Sequence, residues 1–178
     1  MKMAKTLGFV LCLSLSSGLM ADTGGQPASS EYLVIQVNGI VCSFCAYGTE
    51  KNLSTLEFLD KTQYGKDGVL VDINEHRITL ALQPHLPVHY AQINAAILKG
   101  GYDPVAYYAA VQGVVNESAG GYQLVNEANG QIYSLPVNPE VAALSGKNVS
   151  IRTVLDPEQV ASIVHGQVIR LTSIELQP

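Results

Sequence analysis

The chain has 178 residues, of which 47% are apolar, 14% charged and 7% aromatic. This composition is typical of a folded globular protein and excludes a disordered or collagen-like chain. The 15 acidic and 10 basic side chains give a net charge of −5 without any basic run, so we expect no nucleic-acid partner.

The first 21 residues have the pattern of a secretory signal peptide. Lys2 and Lys5 precede an apolar core at 7–15, which is too short to span a bilayer. Small residues follow this core, and Ala21 is a plausible last residue before cleavage. We therefore predict a periplasmic or secreted protein, with no membrane insertion after the signal is removed.

The next part of the chain predicts a disordered lead-in and then one domain at 31–112. Residues 22–30 are rich in Gly, Ser and Pro, which is typical of an unstructured segment. Hydrophobic periodicity then predicts six elements: a strand at 32–37, a helix at 43–59, a hairpin of strands at 69–73 and 78–82, a helix at 88–99 and a strand at 105–111. This β-α-β-β-α-β order is typical of the ferredoxin-like fold.

The remainder predicts a polar linker at 113–121 and a small, mostly β domain at 122–178. Strands are expected at 122–125, 132–135, 148–154 and 168–176, with one short helix at 139–144. The segments 146–151 and 166–174 resemble small secreted OB-like barrels. The overall fold class is therefore α+β. Because the polar linker would bury little, we expect a chain ending at Gln112 to fold. Because 122–178 contains no Cys or Met, that shorter chain should hold the whole functional site.

The mature chain would keep two cysteines, Cys42 and Cys45, in a CxxC motif. The ring that they could close is too small to stabilise a fold, so the pair predicts chemistry. Cys42 is expected in the loop before the first helix and Cys45 in the first turn, where unpaired N–H groups lower thiol pKa values. Two thiolates without a third Cys suit a soft ion, Cu(I) or Hg(II), and not Zn²⁺. Gly39 would allow the tight turn, and Ile40 would pack beneath the loop.

The segment Gly39-Ile40-Val41-Cys42-Ser43-Phe44-Cys45, between the first strand and the first helix, resembles the heavy-metal-associated domain. This family includes periplasmic mercury-binding proteins, copper chaperones and the N-terminal domains of copper-transporting ATPases. Gly101-Tyr102 matches the family as well, and the resemblance covers about residues 31–110. It implies that Cys42 and Cys45 are the metal ligands, that Tyr102 lies close to the metal loop, and that a thiolate protein donates or accepts the ion.

Two other functions fit the same residues. A thiol–disulfide oxidoreductase also places CxxC between a strand and a helix, but this chain has no Trp before the motif and no clear proline-headed strand to face it. A non-metal interaction module is the third reading, supported by the long loop at 60–68. We find no catalytic triad, phosphate loop or dinucleotide motif, so an enzyme is not the favoured prediction.

Overall fold

The computed structural model describes residues 32–65, 67–163 and 168–177. The predicted signal peptide (1–21) and the predicted lead-in (22–30) lie outside these ranges. Within them the elements are, in chain order, β1 (Tyr32–Asn38), α1 (Ser43–Leu53), β2 (Val69–Asp72), β3 (Arg77–Ala81), α2 (Tyr90–Lys99), β4 (Asp103–Ser118), β5 (Gly121–Val125), β6 (Ile132–Leu135), α3 (Pro139–Ala142), β7 (Asn148–Leu155), α4 (Pro157–Ser162), β8 (Ile169–Arg170) and β9 (Glu175–Leu176).

The fold is mixed α+β, with one large sheet and few helices, as the coarse prediction states. In the first part of the sheet the strands lie in the order β2-β3-β1-β4, and all neighbours are antiparallel. Leu33, Ile35 and Val37 alternate along β1 and are fully buried in the main core, which they share with residues of α1 and α2. The period-2 pattern thus leaves the intervening residues of β1 on the opposite, open face.

β4 is the longest strand and connects the two parts of the sheet. It pairs with β1 over its first half, with β7 at 107–114 and with β5 at 114–118. Gly113 allows the close crossing of β5, because a Cβ on Gly113 would lie 2.3 Å from the carbonyl oxygen of Val125. Around β4 the strands follow the path β8-β6-β5-β4-β7-β9.

The predicted linker is the first correction. Residues 113–118 continue β4 and only two residues separate it from β5, so most of 113–121 is sheet. The polar composition suggested a linker because Asn116 and Glu117 are exposed, although Val115 beside them in the same strand is fully buried.

Two of the helix and strand predictions also need correction. α1 ends at Leu53 and not at residue 59, because the hydroxyls of Ser54 and Thr55 donate to carbonyl oxygens of the last helical turn. The predicted strand at 168–176 is two short strands, since β8 pairs with β6 and β9 with β7. Asp156 caps the short helix α4, whose Val160 is buried in the core.

No helix within the described residues is long and apolar enough to cross a membrane.

Candidate metal-binding site

The loop from β1 to α1 carries both cysteines. β1 ends at Asn38, and Gly39 then adopts φ +91°, a left-handed conformation that glycine tolerates best. Ile40 is fully buried and anchors the loop to the core, as the sequence predicted. Cys42 is the residue that caps α1, with extended backbone (φ −153°, ψ 152°), and Cys45 lies in the first turn. The two thiols are therefore held on one helix terminus.

The two sulfurs converge at this terminus. The Sγ atom of Cys42 accepts a hydrogen bond from the backbone N–H of Cys45 at 3.2 Å, and the two Sγ atoms lie 2.6 Å apart. Both side chains are partly exposed and neither is in a disulfide. The pair can thus be reached by an ion or by another thiol without opening the fold.

The environment shifts the pKa values of the two thiols in opposite directions. The pKa of Cys42 is lowered, first by the hydrogen bond from the Cys45 side chain and then by the backbone N–H of Cys45. The pKa of Cys45 is raised by its side-chain hydrogen bond to Cys42, by burial and by the charge on Cys42. Cys42 is therefore the first of the two to become a thiolate as the pH rises.

Tyr102 lies beside this loop, at the point where α2 returns to β4. Its side chain is only 2% exposed, and a Cβ placed on Gly39 would lie 3.5 Å from the Tyr102 ring. The hydroxyl meets no partner at hydrogen-bond geometry among the described residues, although it is close enough to Cys45 for each group to shift the other's pKa. Burial, followed by the charges on Cys45 and Cys42, raises the pKa of Tyr102 to about 12. The hydroxyl is thus protonated at neutral pH and available as a donor.

Exposed apolar side chains lie close to the two cysteines in the chain, a feature that the sequence reasoning missed. Val41 is 79% exposed, Phe44 85% and Tyr47 51%, and we call these three residues the apolar rim. A signal for the rim was present in the sequence, because Val41 and Phe44 lie next to the cysteines of a loop that was expected to be exposed. Exposed aromatic side chains next to a reactive group are typical of a contact surface for another protein.

The structure brings together all five residues predicted for the site, namely Cys42, Cys45, Gly39, Ile40 and Tyr102. Within the described ranges, no group of three or more His, Cys, Asp or Glu side chains is placed to hold a metal ion. An ion between the cysteines would thus have two protein ligands from this part of the chain.

Comparisons with models of known protein families, with curated proteins and with solved structures gave no match. The heavy-metal-associated family therefore stays a prediction that depends on the motif and on the order of the elements.

Proposed function

We propose that the protein is exported to a periplasm or beyond and binds one soft ion, Cu(I) or Hg(II), through Cys42 and Cys45. The observation that carries the proposal is the convergence of the two partly exposed sulfurs at the N-terminus of α1. Soft thiolate pairs favour soft ions that accept few ligands. The protein would sequester the ion or hand it to another thiolate protein, and it would not be an enzyme.

The fold supports the family that we propose. The elements β1 to β4 with α1 and α2 follow the β-α-β-β-α-β order, and their strands lie in the order β2-β3-β1-β4. We propose that this part is a ferredoxin-like unit of the heavy-metal-associated type. The strand path β8-β6-β5-β4-β7-β9 supports an OB-like barrel for the rest, because its two end strands are joined by residues 171–174.

Binding would begin at Cys42. Its lowered pKa makes it the first thiolate, and Cys45 would lose its proton when the bound ion replaces it at the sulfur. The protonated hydroxyl of Tyr102 can then donate to the Cys45 sulfur and take up part of its charge. Release would occur by ligand exchange, in which a thiolate of the partner displaces one cysteine at a time. The apolar rim would give that partner a surface to contact.

A titration of the reduced protein with Cu(I) against a competing chelator tests this function. We expect one ion for each chain, and the double variant Cys42→Ser, Cys45→Ser should lose it. Ser43→Ala is the matched control, because Ser43 lies between the two cysteines and provides no soft ligand. An unchanged stoichiometry in the double variant would contradict the proposal. A parallel titration with Hg(II) decides which of the two ions is bound more tightly.

A thiol–disulfide oxidoreductase is the second candidate, and the lowered pKa of Cys42 beside a neighbouring thiol favours it. The reduction potential of the pair and the reduction of insulin by the protein distinguish the two functions. A strongly reducing potential, no turnover of insulin and tight binding of Cu(I) favour the metal-binding function. Turnover with no retention of Cu(I) against the chelator favours the oxidoreductase.

A further inference from the structure

A second concave site lies on the open face of the sheet, away from the cysteines. It is a cleft of about 670 Å³ above strands β1, β4 and β7, with its rim formed by β3 and by residues 173–175. This volume is within the range of small-molecule sites, which is about 300–1,000 Å³. The cleft is independent of the metal site, because none of its lining residues belongs to the loop that carries Cys42 and Cys45.

The register of the strands explains the shape of the cleft. Val34, Tyr108 and Val154 are direct neighbours across β1, β4 and β7, and they form a continuous apolar floor. One row further along, Ala110 is the neighbour of Arg152, and the β1–β4 register brings Tyr32 towards the other side of Ala110. The small Ala110 side chain therefore leaves a slot between an aromatic ring and a guanidinium group.

Charge and exposure distinguish this cleft from an ordinary sheet surface. Two of the three arginines of the chain, Arg77 and Arg152, line it, although the chain as a whole is acidic. Neither guanidinium group forms an ion pair with another described residue, even though Glu175 lies directly opposite Arg152 in the sheet. Tyr32 and Tyr108 are 38% and 47% exposed, so their rings are open to a ligand.

We propose that this cleft binds a small organic anion with a flat apolar body. The body would lie on the floor between the rings of Tyr32 and Tyr108, and the anionic group would accept hydrogen bonds from Arg152. Arg77 is three strands and two rows of side chains away from Arg152, which is roughly 20 Å in a straight line across the sheet at ordinary strand spacing. It therefore does not share the anionic group with Arg152 and adds only a weak attraction, because salt screens exposed charges that are more than about 10 Å apart. Glu175 opposes binding through its like charge.

Amide chemical shifts of the full mature chain, recorded during a titration with 2-naphthoate, test the proposal. We expect saturable shifts in β1, β4 and β7, and about tenfold weaker binding of the neutral 2-naphthamide. Arg152→Gln should weaken naphthoate binding by about the same factor, and Arg77→Gln by less. Glu175→Gln should tighten it. Arg170→Gln is the matched control, because Arg170 is an exposed arginine outside the cleft.

Several outcomes would overturn the proposal. Equal binding of naphthoate and naphthamide, or equal weakening by Arg170→Gln and Arg152→Gln, would show that Arg152 does not hold the anion. Shifts of the cleft amides that depend on protein concentration alone would assign this face to a second copy of the chain. Stronger binding of an oligothymidylate at the same amides would assign it to single-stranded nucleic acid. An unchanged response in Cys42→Ser, Cys45→Ser supports the independence of this cleft from the metal site.

Discussion

The two parts of the sheet differ in the lengths of their elements and in whether they carry the cysteine site. Residues 32–112 combine four antiparallel strands with the two longest helices of the described ranges, and they hold Cys42 and Cys45. Among the described residues of 113–177, β7 has eight residues but the other strands have two to five, and the helices α3 and α4 have only four and six residues. Both parts nevertheless use β4, which pairs with β7 over eight residues. The candidate site lies within the first part, whereas the hydrogen bonding of β4 joins both parts of the sheet.

A change in composition along this chain does not coincide with an end of backbone hydrogen bonding. The composition changes after Gln112, but the backbone ladder of β4 continues through Ser118 and is covered by β5 and β7. The α4 helix also packs against α2 and β4, and its buried Val160 belongs to the same core cluster as Ile40 beneath the cysteine loop. A boundary between functions therefore need not be a boundary between folding units.

Truncation after Gln112 should have the largest effect. The composition predicts that the shortened chain folds, whereas the pairing of β7 along β4 predicts that it does not, because an edge of β4 and the buried Val111 lose their cover. We expect the cooperative urea transition, monitored by circular dichroism, to be lost. We also expect the truncated chain to bind Cu(I) more weakly. A truncated chain with a sharp transition and Cu(I) affinity within about tenfold of the whole chain would restore two separate units.

A cavity in either part should lower the free energy of unfolding of the same cooperative unit. Leu33 on β1 and Ile151 on β7 are both fully buried, so Leu33→Ala and Ile151→Ala should each cost about 2–5 kcal/mol. If the sheet is one cooperative unit, each variant keeps a single urea transition at a lower midpoint. Two transitions, of which each variant moves only one, would show that the parts unfold separately.

The turn before the cysteines should be sensitive to its backbone conformation. Gly39→Ala should cost about 1 kcal/mol, because φ +91° is unfavourable for an L-residue while the added Cβ would lie 3.5 Å from Tyr102, an ordinary contact. Gly48→Ala is the matched control. Gly48 lies in α1 with open space around it, so alanine there should stabilise the protein by about 0.5–1 kcal/mol. Equal urea midpoints for the two variants would contradict this explanation of Gly39.

The smallest effect should be on the order in which the thiols react. Because the pKa of Cys42 is lowered and that of Cys45 is raised, Cys42 should react with iodoacetamide at a lower pH than Cys45. Tyr102→Phe removes a group that lowers the pKa of Cys45, so the Cys45 profile should move to higher pH while the Cys42 profile stays nearly unchanged. Peptide mass spectrometry across a pH series measures both. Identical profiles for the two cysteines would contradict the asymmetry.

The sequence predicted the elements that its local patterns define. The alternation in β1, the hairpin of β2 and β3, and the strands at 122–125 and 132–135 depend on neighbouring residues, and the structure confirms them. The positions of Cys42 and Cys45 at the N-terminus of α1 follow from the same local rules, because a strand, a glycine turn and a helix succeed one another within a few residues.

Only the tertiary structure decided how the later segments join the sheet and what surrounds the sulfurs. Gly113 was assigned to a linker from its sequence context, but in the fold it lies beside the carbonyl oxygen of Val125. The segment 168–176 forms two strands because its two ends pair with different strands. The contact of Tyr102 with the cysteine loop, which the family resemblance implied but no local pattern did, likewise joins residues about 60 positions apart. Periodicity describes which face of an element is buried, but it carries no information on the partner that buries it, since that choice depends on packing between residues distant in sequence.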